Sequence, residues 1–118
     1  MILLTEYFQD SVVNFGFTPS EADYKSAIDL LDRVNDLLSE LGIERDLRSG
    51  HRTREKTLAL IAAGYRAALG GNHEKSCAVD VSDNDGYIDR LVDDALLERH
   101  GLYREAPDAT EGWCHLQS

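Results

Sequence analysis

Cys77-Ala78-Val79-Asp80-Val81 is an apolar run holding a single acid, Asp80, and bounded by Ser76 and by Ser82-Asp83. A run of this length and composition reads as a buried strand. Because it lies between two stretches of helical periodicity, it decides the fold class. Upstream, Thr18-Pro19-Ser20-Glu21 supplies a capping hydroxyl, a proline at the first helical position and a glutamate three residues after the cap, which together start a helix. Tyr24, Ala27, Ile28, Leu31, Val34, Leu38 and Leu41 then recur at helical spacing until Gly42. Ile43 to Ser49 is a second strand candidate, and Thr53 opens a helix with Leu58, Ile61, Tyr65 and Leu69 on one face, ended by Gly70-Gly71. Downstream, Ser82 or Asp83 caps a third helix bearing Ile88, Leu91, Val92, Ala95 and Leu96 and closed by Gly101. Leu102 to Arg104 and Gly112 to Gln117 are the last strands, separated by a polar loop with Pro107. The expected fold is α+β: a small antiparallel sheet packed with about three helices.

At 118 residues the chain has room for one domain with one core, 1–118. Its 42% hydrophobic and 29% charged residues are ordinary for a folded globular protein. The formal net charge of -10 leaves no counterion release to drive binding to a phosphate backbone, so no nucleic-acid partner is expected. Anionic surfaces repel the chain too, and an anionic target must be recognised at a local cationic site. Met1 to Phe15 contains Glu6 and Asp10 but no Lys or Arg, unlike the start of a secretory signal. The uncharged run Thr57 to Tyr65 is far short of the roughly 20 residues that span a bilayer. Two cysteines, Cys77 and Cys114, are too few for a disulfide scaffold.

Among the four histidines, His73 lies seven residues before Asp80, just after a glycine turn, so a hairpin-like return can bring both to one place. In Gly112-Trp113-Cys114-His115-Leu116-Gln117, a period-two strand puts Trp113 and His115 on one face. Two imidazoles and a carboxylate make a catalytic zinc set that leaves the fourth tetrahedral position open. An acid within an apolar strand is costly unless it is metal-bound or paired. Hydrogen bonds to Asp80 from backbone or from Arg52 are the non-metal alternative. His51 and His100 have no partner pattern; His100 suits a favourable contact with a helix C-terminus.

Ser49-Gly50-His51-Arg52-Thr53, Gly70-Gly71-Asn72-His73, Ala78-Val79-Asp80 and Trp113-Cys114-His115 occur in the order S-G-x-R-[ST], H-x(6)-D, W-x-H. In this the chain resembles the zinc D-alanyl-D-alanine carboxypeptidases and L-alanyl-D-glutamate endopeptidases of peptidoglycan, whose fold is shared with hedgehog signalling domains. Leu4-Thr5-Glu6-Tyr7-Phe8 is similar to the opening of many members, and the last third looks most like short phage-encoded ones. The resemblance covers nearly the whole chain. It implies His73, Asp80 and His115 as zinc ligands, with Arg52, beside Ser49, holding the substrate carboxylate or polarising the scissile carbonyl. A guanidinium matches a peptide carboxylate in a bidentate way. It further implies a peptidoglycan stem peptide as substrate, synthesis in a host cytoplasm without a signal peptide, and action at the wall after release or from a virion. A monomer is expected.

The family's general base lies three residues before the final histidine, where this chain has Gly112. Glu111 shares strand parity with Trp113 and His115 and is the expected replacement, with Asp108 and Glu105 in the same loop behind it. Ser76 replaces a usual glycine three residues after the first histidine. Parity is expected to turn Cys77 and Cys114 away from the metal as small buried hydrophobes. A closed site of His73, Cys77, Cys114 and His115, without catalysis, is the alternative. Asp83-Asn84-Asp85-Gly86 lacks acids at Val81 and Val92 for a calcium loop and reads as helix capping. The rival to an enzyme is a zinc-stabilised binding protein of the same fold.

Overall fold

A computed structural model describes residues 1–105 and 112–118. Its elements run α1 (Leu4–Phe15), α2 (Glu21–Leu41), β1 (Leu47–Ser49), α3 (Arg54–Ala62), β2 (Ala78–Ser82), α4 (Tyr87–Leu91), α5 (Asp94–Arg99), β3 (Tyr103–Arg104) and β4 (Trp113–Gln117). The fold is α+β, as expected. Its sheet has the order β1-β2-β4-β3, with every neighbouring pair antiparallel.

Helix α2 starts two residues later than the expected cap at Thr18 would place it, so Pro19 lies before the helix and Glu21 is its first residue. Ser20 is the N-cap and Asp23 closes the capping box, Ser20 Oγ accepting from the Asp23 amide at 3.1 Å and Asp23 Oδ2 from the Ser20 amide at 2.8 Å. Ala27, Leu30, Leu31, Val34, Leu37 and Leu38 form its buried stripe. Tyr24 and Ile28, expected on that stripe, are exposed. On the core side of the sheet, Val79 and Val81 of β2 and Cys114 and Leu116 of β4 pack with this stripe and with Tyr7 and Phe8 of α1. Alternation in both strands therefore leaves Asp80 and His115 for the opposite face.

Three local expectations are corrected. Helix α1 adds an element that the periodicity reading did not assign; it presents Tyr7, Phe8 and Ser11, one turn of a face, inward. The helix opened by Thr53 ends at Ala62, well before Gly70-Gly71, because Gly64 takes a left-handed conformation (φ +90°) and the Tyr65 amide donates back to the Leu60 carbonyl at 2.9 Å. The expected apolar face of Leu58, Ile61, Tyr65 and Leu69 is exposed. The third expected helix is two: Val92 is extended (ψ 133°), and Asp93 caps a new helix by accepting from the Leu96 amide at 2.8 Å. Capping by the Asp83 segment is realised: the buried Asp83 carboxylate accepts from the amides of Ile88 and Asp89 at 2.9 and 3.1 Å.

Candidate metal centre

Sheet register sets the first part of the site. Ser49 of β1 pairs with Asp80 of β2, and Asp80 with His115 of β4, so the three lie in a row across three strands. His73 arrives from the turn before β2, whose shape depends on Ser76. This residue adopts φ +60°, the left-handed region where a glycine is easily placed. Its buried Oγ donates to Asp23 Oδ1 at 3.3 Å, so the serine is accommodated and the turn still delivers the histidine.

His73, Asp80 and His115 are all buried, and their ligand atoms lie within 4.8 Å of one another. Asp80 Oδ1 is 3.4 Å from His73 Nε2 and 2.9 Å from His115 Nδ1. The far nitrogen of each ring faces an acceptor: His73 Nδ1 is 2.8 Å from the Gly50 carbonyl, and His115 Nε2 is 2.8 Å from Gln117 Oε1. If those nitrogens carry the ring protons, as metal-binding histidines usually do, His73 Nε2 and His115 Nδ1 turn lone pairs toward an anionic oxygen. Three converging acceptors need a positive centre among them, either a proton or a cation. Two imidazole nitrogens and one carboxylate oxygen are a donor set suited to zinc, with a position to spare. The residues present therefore fit the ion.

The electrostatics agree with the geometry. Burial on its own raises the Asp80 carboxyl, but contacts with the His115 and His73 rings outweigh it and hold the group far below the usual carboxylate range. For His115, burial disfavours the charged ring, while the contacts with Asp80 and Gln117 prevail and raise its pKa. The second Asp80 oxygen, Oδ2, accepts from Arg52 Nη2 at 3.2 Å, and Ser49 Oγ accepts from Arg52 Nε at the same distance. The pairing of Asp80 with Arg52, foreseen as an alternative to metal binding, thus occurs beside the ligand cluster.

The site opens into a groove of about 1360 Å³ whose walls include Arg48, Arg52, Lys56 and Arg66. These four cations outnumber the two acids of the same lining, Asp80 and Glu105, a local excess of positive charge on a chain of net charge -10 that attracts an anionic ligand. Trp113 lies on the same wall, with the Arg48 guanidinium 4.4 Å from its ring centroid. Glu105 reaches the site, Oε1 lying 3.9 Å from His115 Nδ1. Glu111 and Asp108 lie outside the described residues.

The thiols stand apart. Cys114 is buried in the core, where burial pushes its thiol up. Cys77 precedes β2 and so escapes its parity; it is half-buried, not buried as expected, and its Sγ donates to the Lys75 carbonyl at 3.3 Å. Among the described residues, the group able to hold a metal contains no cysteine. His100 caps α5 and pairs with Glu40, Nε2 to Oε2 at 3.0 Å. Sequence reasoning missed the supports of the two imidazoles. Gln117 was legible, being two residues beyond His115 on the same strand face; the Gly50 carbonyl carries no side-chain signal. Comparisons with family models, curated proteins and solved structures return no match to this chain.

Proposed function

We propose that the chain is a zinc-dependent peptidase that hydrolyses an amide bond in peptidoglycan stem peptides. The observation that carries this reading is the convergence of His73 Nε2, Asp80 Oδ1 and His115 Nδ1 with both distal ring nitrogens on fixed acceptors. The motif resemblance supplies the substrate class, and the cationic groove supports an anionic peptide. When bound by these three residues, zinc supplies a Lewis acid for the scissile carbonyl and an open position where water ionises near neutral pH.

The chain's own residues supply binding and proton transfer. Arg52, its Nε fixed on Ser49 Oγ and its Nη2 on Asp80 Oδ2, offers its remaining N–H groups to a substrate carboxylate or to the carbonyl being cleaved. Glu105 stands where a carboxylate can take a proton from attacking water and return it to the leaving amine. Glu111 and Asp108 are the other candidates for that role. Synthesis in a host cytoplasm and action at the wall, after release or from a virion, belong to the same proposal.

Purified protein with one equivalent of zinc should release D-alanine, or split an L-alanyl-D-glutamate bond, and His73→Ala should abolish this. Zinc retention without cleavage of either substrate would favour the second reading, a zinc-stabilised binding protein, to which Gly112 at the family's base position lends support. Glu105→Gln, Glu111→Gln and Asp108→Asn, compared side by side, identify the proton carrier. The one that acts should lose roughly 10²–10⁴ in turnover.

A further inference from the structure

His51, the unspecified position of S-G-x-R, had no partner pattern in the sequence, yet it is buried and tightly held. Its Nδ1 lies 2.7 Å from Ser11 Oγ of α1, and the Ser11 hydroxyl is 3.1 Å from the His51 carbonyl, well placed to donate to it. With the imidazole proton on Nδ1, the ring donates to Ser11 Oγ and the hydroxyl donates onward, so Ser11, which has no exposed surface, is satisfied in both directions. The ring is stacked on Phe17 at 4.4 Å and tilted against Phe8 at 5.4 Å. The His51 amide donates to the Tyr7 carbonyl at 2.9 Å. Gly50 rides so close to α1 that a Cβ there would run into the Tyr7 carbonyl. The carbonyl of this same Gly50 receives His73 Nδ1, and the Arg52 amide returns to the His73 carbonyl at 3.2 Å. On its other side, α1 is fixed to the ligand-bearing strand, the Tyr7 hydroxyl donating to the Ala78 carbonyl at 2.8 Å.

We infer that α1 presets the metal centre: the buried Ser11–His51 pair fixes the Gly50 carbonyl, which sets the ring orientation of His73. Ser11 and His51 are positioning residues, acting on the ion only through Gly50 and His73. A chain of this kind determines which His73 nitrogen is offered before any ion arrives. The inference rests on the reading of His73, Asp80 and His115 as ligands.

The test is zinc affinity by competition with a chelator, together with the visible spectrum of the cobalt-substituted protein and the imidazole nitrogen NMR signals of His73. Ser11→Ala and His51→Leu should each weaken zinc by about 10-fold, the low end for outer supports of a ligand. They should also alter the cobalt bands and mix the two His73 tautomers in the metal-free protein. His51→Asn, which keeps a polar nitrogen near the position of Nδ1, should restore affinity and spectrum. Should Ser11→Ala fail to fold, the contrast between His51→Asn and His51→Leu decides. Should both leucine and alanine variants fail, the wild-type signals decide: a single His73 tautomer protonated on Nδ1 supports the inference, and a mixture overturns it. Folded variants with wild-type affinity and cobalt spectrum would overturn it as well. A wild-type chain that takes up no zinc would instead sink the metal reading itself, so the two failures are distinguishable.

Discussion

Val79 and Val81 turn from β2 into the apolar core, whereas Asp80 between them turns into the ligand cluster; Cys114 and Leu116 flank His115 in the same way on β4. The two faces of one pair of strands are both buried, but one is closed by aliphatic contact and the other by converging polar atoms. Stability depends mainly on the first face, whereas the second contributes Asp80 and His115 to a group close enough to hold a metal ion, so substitutions one residue apart should separate folding from metal affinity.

The largest expected effect is on the polar face. His115→Ala removes a ligand and should weaken zinc by roughly a thousandfold or more, about 4 kcal/mol, while leaving far-UV circular dichroism unchanged; zinc competition assays read the loss. On the core face, Leu116→Ala should cost about 2–5 kcal/mol of folding stability, measured by urea unfolding of the metal-free protein, with the ligand set intact in the fraction that folds. Equal damage to both properties from either substitution would erase the distinction between the faces. Gln117→Leu sharpens it, because Gln117 contacts the His115 ring without belonging to the group that could hold the ion. It should weaken zinc by about 10–100-fold, with little change in unfolding midpoint.

The smallest effect is the response to pH. The His115 pKa is raised in the metal-free fold. Its contribution to stability is therefore fully present below the unfolded value of about 6.5 and is lost as pH rises through the folded value. Zinc needs the unprotonated ring, so the rise in melting temperature on adding zinc should grow over the same window in which the metal-free protein loses stability. Thermal scans with and without zinc test this, and a zinc-induced rise that shrinks with pH would contradict it.

Much of this division was legible in the sequence. Period-two alternation placed Asp80 and His115 opposite to Cys114 because both strands are regular and fully paired. Helix α2 was legible because its caps and its stripe agree, although the cap lies at Ser20, where the side chain that completes the box is Asp23. Helical spacing failed for Leu58, Ile61, Tyr65 and Leu69: Tyr65 and Leu69 lie beyond the helix end at Ala62, and Leu58 and Ile61 sit on an exposed part of the helix, since spacing reports neither where a helix stops nor whether its face is covered. Ile61 and Tyr65 line the groove instead of a core. The break at Val92 was hidden because Asp93, an ordinary interior acid on a pattern view, has the side chain that starts a new helix. The supports of the site were least visible. Gly50 acts through its carbonyl, and Ser11 and His51 meet across 40 residues by a contact that no local pattern announces.

X-ray absorption at the zinc edge, on protein loaded with one equivalent of metal, reads the donor atoms around the ion themselves. One tightly held ion per chain is expected, with a shell of light donors only, nitrogen at about 2.0–2.1 Å from two imidazoles and oxygen from one carboxylate and solvent; His73→Ala should abolish it. Failure to retain zinc, or a sulfur scatterer at about 2.3 Å from Cys77 or Cys114, would contradict it.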